Sequence, residues 1–162
     1  MKYLTLIRHA KSSWDEANLP DHARPLNKRG RHDAPMMGQR MAEKGLEPDV
    51  IVSSPAMRAI STAEAIAEEL GYSPTDIVTD QRLYGADEAG WLAILRGLDD
   101  GLEHVMIVGH NPGLTEVANT LSPDPIGNVP TCGVVEFEFD AHTWADVGGV
   151  RPKRVKFDYP KS

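Results

Sequence analysis

The sequence predicts an α/β fold, with a mostly parallel central sheet and helices on both faces in three αβα layers. Short apolar runs of strand length alternate along the chain with segments of helical periodicity, an order typical of parallel sheets. The 162 residues are 41% hydrophobic and 25% charged, as in ordinary globular proteins. Neither a repeat nor a linker nor a low-complexity tract divides them. We therefore expect a single domain over residues 1–162.

The first elements are a strand, a long loop and a helix. The apolar run Tyr3–Ile7 predicts a buried strand. Residues 10–26 have no periodicity, and a structureless stretch of that length is usually functional or disordered. A helix is predicted over about 27–44 with Asn27 as its N-cap. Pro35 lies inside this segment and predicts a kink or a delayed helix start.

The middle of the chain repeats the strand-to-helix pattern. Asp49–Ser53 is predicted to be the second strand. Ser54 as a cap and Pro55 at the first helical position then begin a helix that runs to about Leu70. Asp76–Thr79 is predicted to be a short third strand.

Five further elements complete the predicted fold. They are a helix over about 88–98, a strand at Val105–Val108, a helix from Asn111-Pro112 to about Leu121, and strands at Val134–Phe139 and Arg154–Phe157.

Chemically active side chains stand at the ends of predicted strands. Arg8 and His9 follow the first strand, His110 follows the fourth, and Arg58 lies in the first turn after the second. Ligand sites of open α/β sheets lie at this edge, where free helix N–H groups and arginine forks attract phosphate oxygens. Helix capping or solvation explains each residue alone. Together, two histidines and two arginines at one edge favour a site that transfers a phosphoryl group.

Composition narrows the ligand classes. The net charge of −7 argues against nucleic acid and anionic membranes, so an anionic substrate needs a local cationic cluster. Cys132 is the only cysteine, which excludes a disulfide within the chain and suits a reducing compartment. Neither a long apolar stretch nor a signal-like segment is present, so we expect a cytoplasmic protein. Histidine and cysteine spacings match no metal-ligand pattern, and we expect neither a metal nor an organic cofactor.

Four segments carry most of these side chains: LIRHAK at 6–11, RPLNKRG at 24–30, SSPAMRA at 53–59 with Thr62-Ala63, and VGHNP at 108–112. In this order and spacing they resemble the motifs of the histidine phosphatase superfamily, which includes phosphoglycerate mutases and acid phosphatases. The small size and the RHAKSSW start look most like SixA-type phosphohistidine phosphatases. The resemblance covers nearly the whole chain and implies a phosphoglycerate mutase-like fold.

The resemblance also implies roles for the site residues. His9 would be the nucleophile, forming a phosphohistidine that water hydrolyses. Arg8 and Arg58 would hold the phosphoryl oxygens and lower the pKa of His9. His110 would donate a hydrogen bond to a phosphoryl oxygen.

Three more residues are candidates for substrate binding. Lys11 lies two residues beyond His9, although a solvated lysine explains it equally well. Arg24 belongs to a segment that matches the family pattern. Asn111 stands at a helix start where phosphate oxygens could bind, or only caps that helix.

The chain departs from the family pattern at two places. Ala10 replaces the glycine of the signature, and Tyr84 stands where many members carry the acid that protonates the leaving oxygen. Asp87 or Glu88 could supply that acid, or could only begin the next helix. An alkoxide normally needs such an acid, whereas phosphohistidine leaves as imidazole once its ring is protonated.

We therefore expect a metal-independent phosphatase that acts on phosphohistidine, borne by a protein. One alternative is a broad-specificity phosphomonoesterase that uses Asp87 or Glu88 as its acid on small phosphate esters. The other is a binding module that holds a phosphorylated ligand without catalysis. The sequence does not specify the oligomeric state, and a monomer is the simplest expectation.

Overall fold

The computed structural model describes residues 1–161, and the order of its elements is that of an α/β chain. In chain order they are β1 (Lys2–Arg8), α1 (Lys28–Glu43), β2 (Val50–Ser53), α2 (Met57–Leu70), β3 (Val78–Thr79), α3 (Glu88–Arg96), β4 (His104–Gly109), α4 (Gly113–Leu121), β5 (Val134–Phe139) and β6 (Arg154–Asp158). Short 3₁₀ turns lie at Asp21–Ala23, Pro74–Asp76, Gln81–Leu83 and Trp144–Asp146.

The strands form a single sheet in the order β3-β2-β4-β1-β5-β6. The four strands from β3 to β1 are parallel, β5 is antiparallel to β1, and β6 is antiparallel to β5. The mostly parallel sheet is confirmed, and its antiparallel strands are confined to one side.

Helices cover both faces of this sheet. On β4, Val105 and Ile107 pack into the core beneath α3 and α4. Met106 and Val108, which alternate with them, pack beneath α1 and α2. A strand buried on both faces is apolar throughout, which explains the continuous run in the sequence. The three-layer prediction is confirmed.

Strand register determines where the candidate site residues emerge. Arg8 at the end of β1 pairs with Gly109 at the end of β4, and Ser53 of β2 pairs with Val108. The next residues along each strand are His9, His110 and Ser54. All three therefore leave the sheet at the same edge.

The two helices that follow β2 and β4 begin later than predicted. α2 starts at Met57, so Pro55 is not its first residue; the Ser54 hydroxyl accepts from the Ala56 N–H at 3.3 Å, within a turn before the helix. α4 starts at Gly113. The prediction from the proline positions was wrong because each proline lies in the connecting turn.

Other boundaries differ by smaller amounts. β3 has only two residues, because the 3₁₀ turn Pro74–Asp76 takes the place of its predicted start. α3 ends at Arg96 and is capped by Gly97 rather than continuing to residue 98. α1 begins at Lys28 and continues through Pro35, so the delayed start is not seen.

The long loop after β1 has some regular structure. Ser12 forms an isolated antiparallel bridge with Leu26, and Asp21–Ala23 forms a 3₁₀ turn. The loop therefore folds back towards the carboxyl edge of the sheet. Over residues 1–161, the structure holds no helix with the length and hydropathy needed to span a bilayer.

Candidate active site

His9 is held by the backbone at the end of β1. Its N–H donates to the Gly109 carbonyl at 3.1 Å, which ties β1 to β4. Its ring Nδ1 lies 2.8 Å from the Ala10 carbonyl oxygen. A carbonyl can only accept, so Nδ1 carries the proton and Nε2 keeps its lone pair. This tautomer is the one that leaves Nε2 available as a nucleophile.

The surroundings of His9 keep its ring neutral. Burial is the main cause that lowers its pKa to about 3, and the charges of Arg58 and Arg8, together with that of His110 when it is protonated, lower it further, against the hydrogen bond to Ala10. Desolvation and neighbouring cations both disfavour an imidazolium. His9 therefore remains unprotonated far below neutral pH.

His110 lies against His9 across the β1–β4 pair. The centres of the two imidazole rings are 5.1 Å apart. The Nε2 of His110 is 2.7 Å from the Ser54 hydroxyl, so the junctions after β2 and β4 are joined through this contact. Burial, together with Arg58 and Arg8, lowers the pKa of His110 to about 4. Both histidines are therefore neutral at pH 7.

The two arginines are anchored differently. Arg8 donates from Nη1 to the Val129 carbonyl at 3.1 Å, and within residues 1–161 it forms no ion pair with a carboxylate. Arg58 is 7% exposed and donates to the backbone oxygen of Asp21 at 2.8 Å and to its carboxylate at 3.0 Å. Both guanidinium groups lie beside His9, and Arg8 there lacks a counter-ion.

Asp21 joins several site residues and was not predicted from the sequence. Its carboxylate accepts from Arg58 at 3.0 Å, from Arg24 at 3.0 Å and from the Tyr84 hydroxyl at 2.5 Å. Hydrogen bonds from Tyr84, Arg58 and Arg24 hold the pKa of Asp21 well below its usual range. Asp21 is therefore ionised at neutral pH and positions Arg58. A possible signal was an acid in an unusually long loop beside the Arg-Pro-Leu segment.

Arg24 organises the loop that forms one side of the site. Its guanidinium donates to the Ser13 carbonyl at 3.0 Å and to the Ser12 hydroxyl at 2.5 Å. It also lies 3.2 Å from the ring centre of Trp14, which is 76% exposed. Arg24 is placed at the site as predicted, but these contacts tie most of its donors to the protein.

Asn111 turns away from the group formed by the other candidates. Its side-chain amide donates to Asn128 at 3.1 Å and to the Val129 carbonyl at 3.0 Å. Its oxygen accepts from the N–H and the hydroxyl of Thr115, which caps the first turn of α4. Arg8 donates to the same Val129 carbonyl, so the two side chains share this acceptor. Contact between Asn111 and a substrate stays a prediction.

The two acids considered as proton donors both have helix-start roles. Asp87 is the N-cap of α3, and its carboxylate accepts from the Gly90 N–H at 2.8 Å. Glu88 accepts from the Thr120 hydroxyl on α4. The helix-start interpretation is confirmed. Tyr84 lies beside His110 instead. The two rings pack edge to face, and their centres are 5.6 Å apart.

The site opens into a groove with a volume of about 1080 Å³. Arg8, His9 and Arg58 line it, together with side chains of the long loop and the start of α1 that include Lys11, Arg24, Lys28 and Arg29. Across residues 1–161, no group of three or more His, Cys, Asp or Glu side chains could hold a metal ion.

Relatives of the chain come from plants and bacteria. An uncharacterised chloroplastic protein of Arabidopsis thaliana is 31% identical over 151 residues, which span 88% of this chain and 69% of the relative. A 2,3-bisphosphoglycerate-dependent phosphoglycerate mutase of Brucella ovis is 35% identical over 86 residues, but these span 52% of this chain and only 42% of the mutase.

Solved structures share the fold over most of the chain. One is a protein of Agrobacterium tumefaciens that is provisionally assigned as the phosphohistidine phosphatase SixA. Its structure matches this chain with a TM-score of 0.77 and 27% sequence identity, over 84% of this chain and 90% of that protein. A protein histidine phosphatase SixA complexed with tungstate has a TM-score of 0.78 over 97% and 94% of the two chains, but at 21% identity it supports the fold alone.

A family model gives the broadest assignment. The model of the histidine phosphatase superfamily, branch 1, matches residues 4–91, which include Arg8, His9 and Arg58. That match covers more than half of the chain, and the fold agrees with it. The chain belongs to the histidine phosphatase superfamily, branch 1.

Proposed function

We propose that this chain hydrolyses phosphohistidine in a protein substrate through a covalent phosphate on His9. The observation that carries the proposal is the state of His9. Its Nδ1–H is fixed on the Ala10 carbonyl, its ring is neutral, and Arg8 and Arg58 lie beside it. Membership of the superfamily and the similarity to SixA proteins support phosphatase activity of the histidine phosphatase type.

The first chemical step would transfer the phosphoryl group to His9. Nε2 of His9 attacks phosphorus, the bond from phosphorus to the substrate imidazole breaks, and that imidazole, protonated beforehand on its other nitrogen, leaves neutral. Arg8 and Arg58 stabilise the charge on the equatorial oxygens. Water then attacks phosphorus as the bond between phosphorus and Nε2 breaks. The protons of water stay on the inorganic phosphate that leaves, and His9 returns to its neutral form with the proton on Nδ1.

The placement of three acids near the site supports phosphohistidine as the substrate. Asp87 and Glu88 are bound at helix starts, and Asp21 is held ionised. The hydrogen bond to Asp21 raises the pKa of Tyr84, which makes its hydroxyl a poor proton donor. General acid help is worth about 10²–10⁴-fold for an alkoxide leaving group. A sugar phosphate should therefore react slowly.

The substrate class is tested by comparing kcat/KM for a phosphohistidine peptide and a sugar phosphate, in the wild type, Asp87→Asn and Glu88→Gln. We expect the peptide to be preferred at least 100-fold, with little change of the preference in either variant, since neither acid serves the reaction. A preference for the sugar phosphate that either variant abolishes would instead establish the phosphomonoesterase alternative.

The binding-module alternative is tested with an aryl phosphate, a reactive ester that needs little acid help. We expect repeated turnover in the presence of EDTA. Stoichiometric binding without turnover of either the aryl phosphate or the peptide would overturn the proposed function.

A further inference from the structure

Positive charge in this acidic protein is concentrated along the groove. Six of the 17 Lys and Arg residues line it, but only one of the 24 Asp and Glu residues, Asp15, does so. Arg8 and Arg58 lie at His9, and Arg24 is bound within the long loop. The remaining three, Lys11, Lys28 and Arg29, form a separate cluster that we call the basic wall.

Backbone packing fixes the basic wall beside the nucleophile. The Lys11 carbonyl accepts from the Asn27 N–H at 3.0 Å, so the start of α1 rests on the segment that follows His9. A Cβ added at Gly30 would lie 2.2 Å from the same oxygen, and only glycine permits this approach. Lys11 is two residues from His9, which is about 7 Å of extended backbone at most.

The cations of the basic wall are available to a ligand. Within residues 1–161, neither Lys11 nor Lys28 forms an ion pair with a carboxylate. Arg29 donates from Nε to Asp33 at 3.1 Å, and Asp33 also accepts from His32. The terminal nitrogens of Arg29 form no hydrogen bond within residues 1–161, and Arg29 lines the groove. The net positive charge of the wall therefore lacks full compensation by the protein.

We propose that the basic wall binds acidic side chains that flank the phosphohistidine of the protein substrate. The phosphate would occupy Arg8 and Arg58, and the neighbouring carboxylates would contact Lys11, Lys28 and Arg29. Since the whole chain carries a charge of −7, only such a local cluster offsets the repulsion of an acidic segment. This inference rests on the proposed function, because it names the sequence around the phosphohistidine that the site accepts.

Two phosphohistidine peptides test the inference, one with Glu and one with Gln at the positions that flank the histidine. Two or three exposed ion pairs together predict a preference of about 2- to 150-fold in kcat/KM for the Glu peptide. The preference should appear mainly in KM and decrease as salt is raised, because salt screens exposed charges.

A double variant and a matched control locate the effect. In Lys11→Met/Lys28→Met the ratio of the two peptides should approach one. Lys153→Met removes an exposed lysine next to β6, far along the chain from the wall, and should leave the ratio as in the wild type.

The outcomes separate the inference from the proposed function. If the wild type hydrolyses neither peptide, the proposed function fails. If it hydrolyses both equally, phosphohistidine turnover stands and the basic wall does not select acidic sequences. A preference for Glu that persists in the double variant would also overturn the role of the wall.

Discussion

The carbonyl oxygen of Ala10 determines which nitrogen of His9 can react. Because it accepts from Nδ1, the lone pair is left on Nε2, while burial keeps the ring neutral. A nucleophilic histidine needs both conditions, and here neither depends on a neighbouring carboxylate. A second residue that shapes the site is Asp21, which orients Arg58 and cannot donate a proton while it remains ionised.

Asp21→Asn should lower kcat/KM for a phosphohistidine peptide by about tenfold, since a hydrogen bond to a charged group is worth about 1.5–3 kcal/mol and here positions Arg58. Steady-state kinetics of this variant would show the loss mainly in kcat if Arg58 binds the transition state more tightly than the substrate. Asp140→Asn, at an exposed position, serves as the control. Unchanged kinetics in Asp21→Asn would mean that Asp21 does not position Arg58.

Strand-end chemistry made some of these residues predictable. Arg8 ends β1, and His9 and His110 directly follow β1 and β4. Arg58 lies in the first turn of α2, after β2. The place of all four at one edge follows from a parallel sheet, and the structure brings them together. Asp21 was missed because its contacts with Arg58 and Tyr84 are tertiary and lie in a loop without periodicity. Their roles in the reaction remain predictions.

At the scale of the elements, the site depends on how three strand-to-helix junctions pack. Element type was predictable from hydrophobic periodicity, which is strong in buried parallel strands. Helix starts were harder to predict, because prolines in the turns before α2 and α4 resemble prolines at a first helical position. The length of β3 was overestimated because a 3₁₀ turn takes the place of its predicted start.

Gly30→Ala tests the packing of α1 against the segment after His9. The added methyl group would overlap the Lys11 carbonyl oxygen, and overpacking of this kind costs about 1–3 kcal/mol. Urea unfolding should show that loss. Gly149→Ala, where the added Cβ would meet only an ordinary contact at 3.5 Å, should change stability by less than about 0.5 kcal/mol. Equal stability of the two variants would contradict the packing described here.

At the scale of the whole molecule, folding forces two imidazoles to remain neutral at the sheet edge. The pKa values of His9 and His110 are lowered to about 3 and about 4, below the value of about 6.5 for an unfolded chain. The unfolded state therefore binds more protons below pH 6.5, and stability decreases as the pH falls. That both histidines lie at one edge of the sheet was predictable from the sequence, because the order of elements limits how a parallel sheet can form.

His9 and His110 should each lower the free energy of unfolding by about 2 kcal/mol as the pH falls from 7.5 to 5, because in this range the histidine becomes protonated in the unfolded chain but not in the folded one. Urea unfolding at both pH values should show a loss that His9→Asn reduces by about this amount. His142→Asn, at an exposed position, should lose as much stability as the wild type. The same loss in His9→Asn as in the wild type would show that His9 is not held neutral.

The measurement that tests the central claim most directly is mass spectrometry of the denatured protein, kept at high pH after brief mixing with a phosphohistidine peptide. The wild type should carry an acid-labile phosphate on His9, and His9→Ala should carry none and fail to turn the peptide over. Equal hydrolysis by His9→Ala, or a phosphate found on another residue of the wild type, would contradict His9 as the nucleophile.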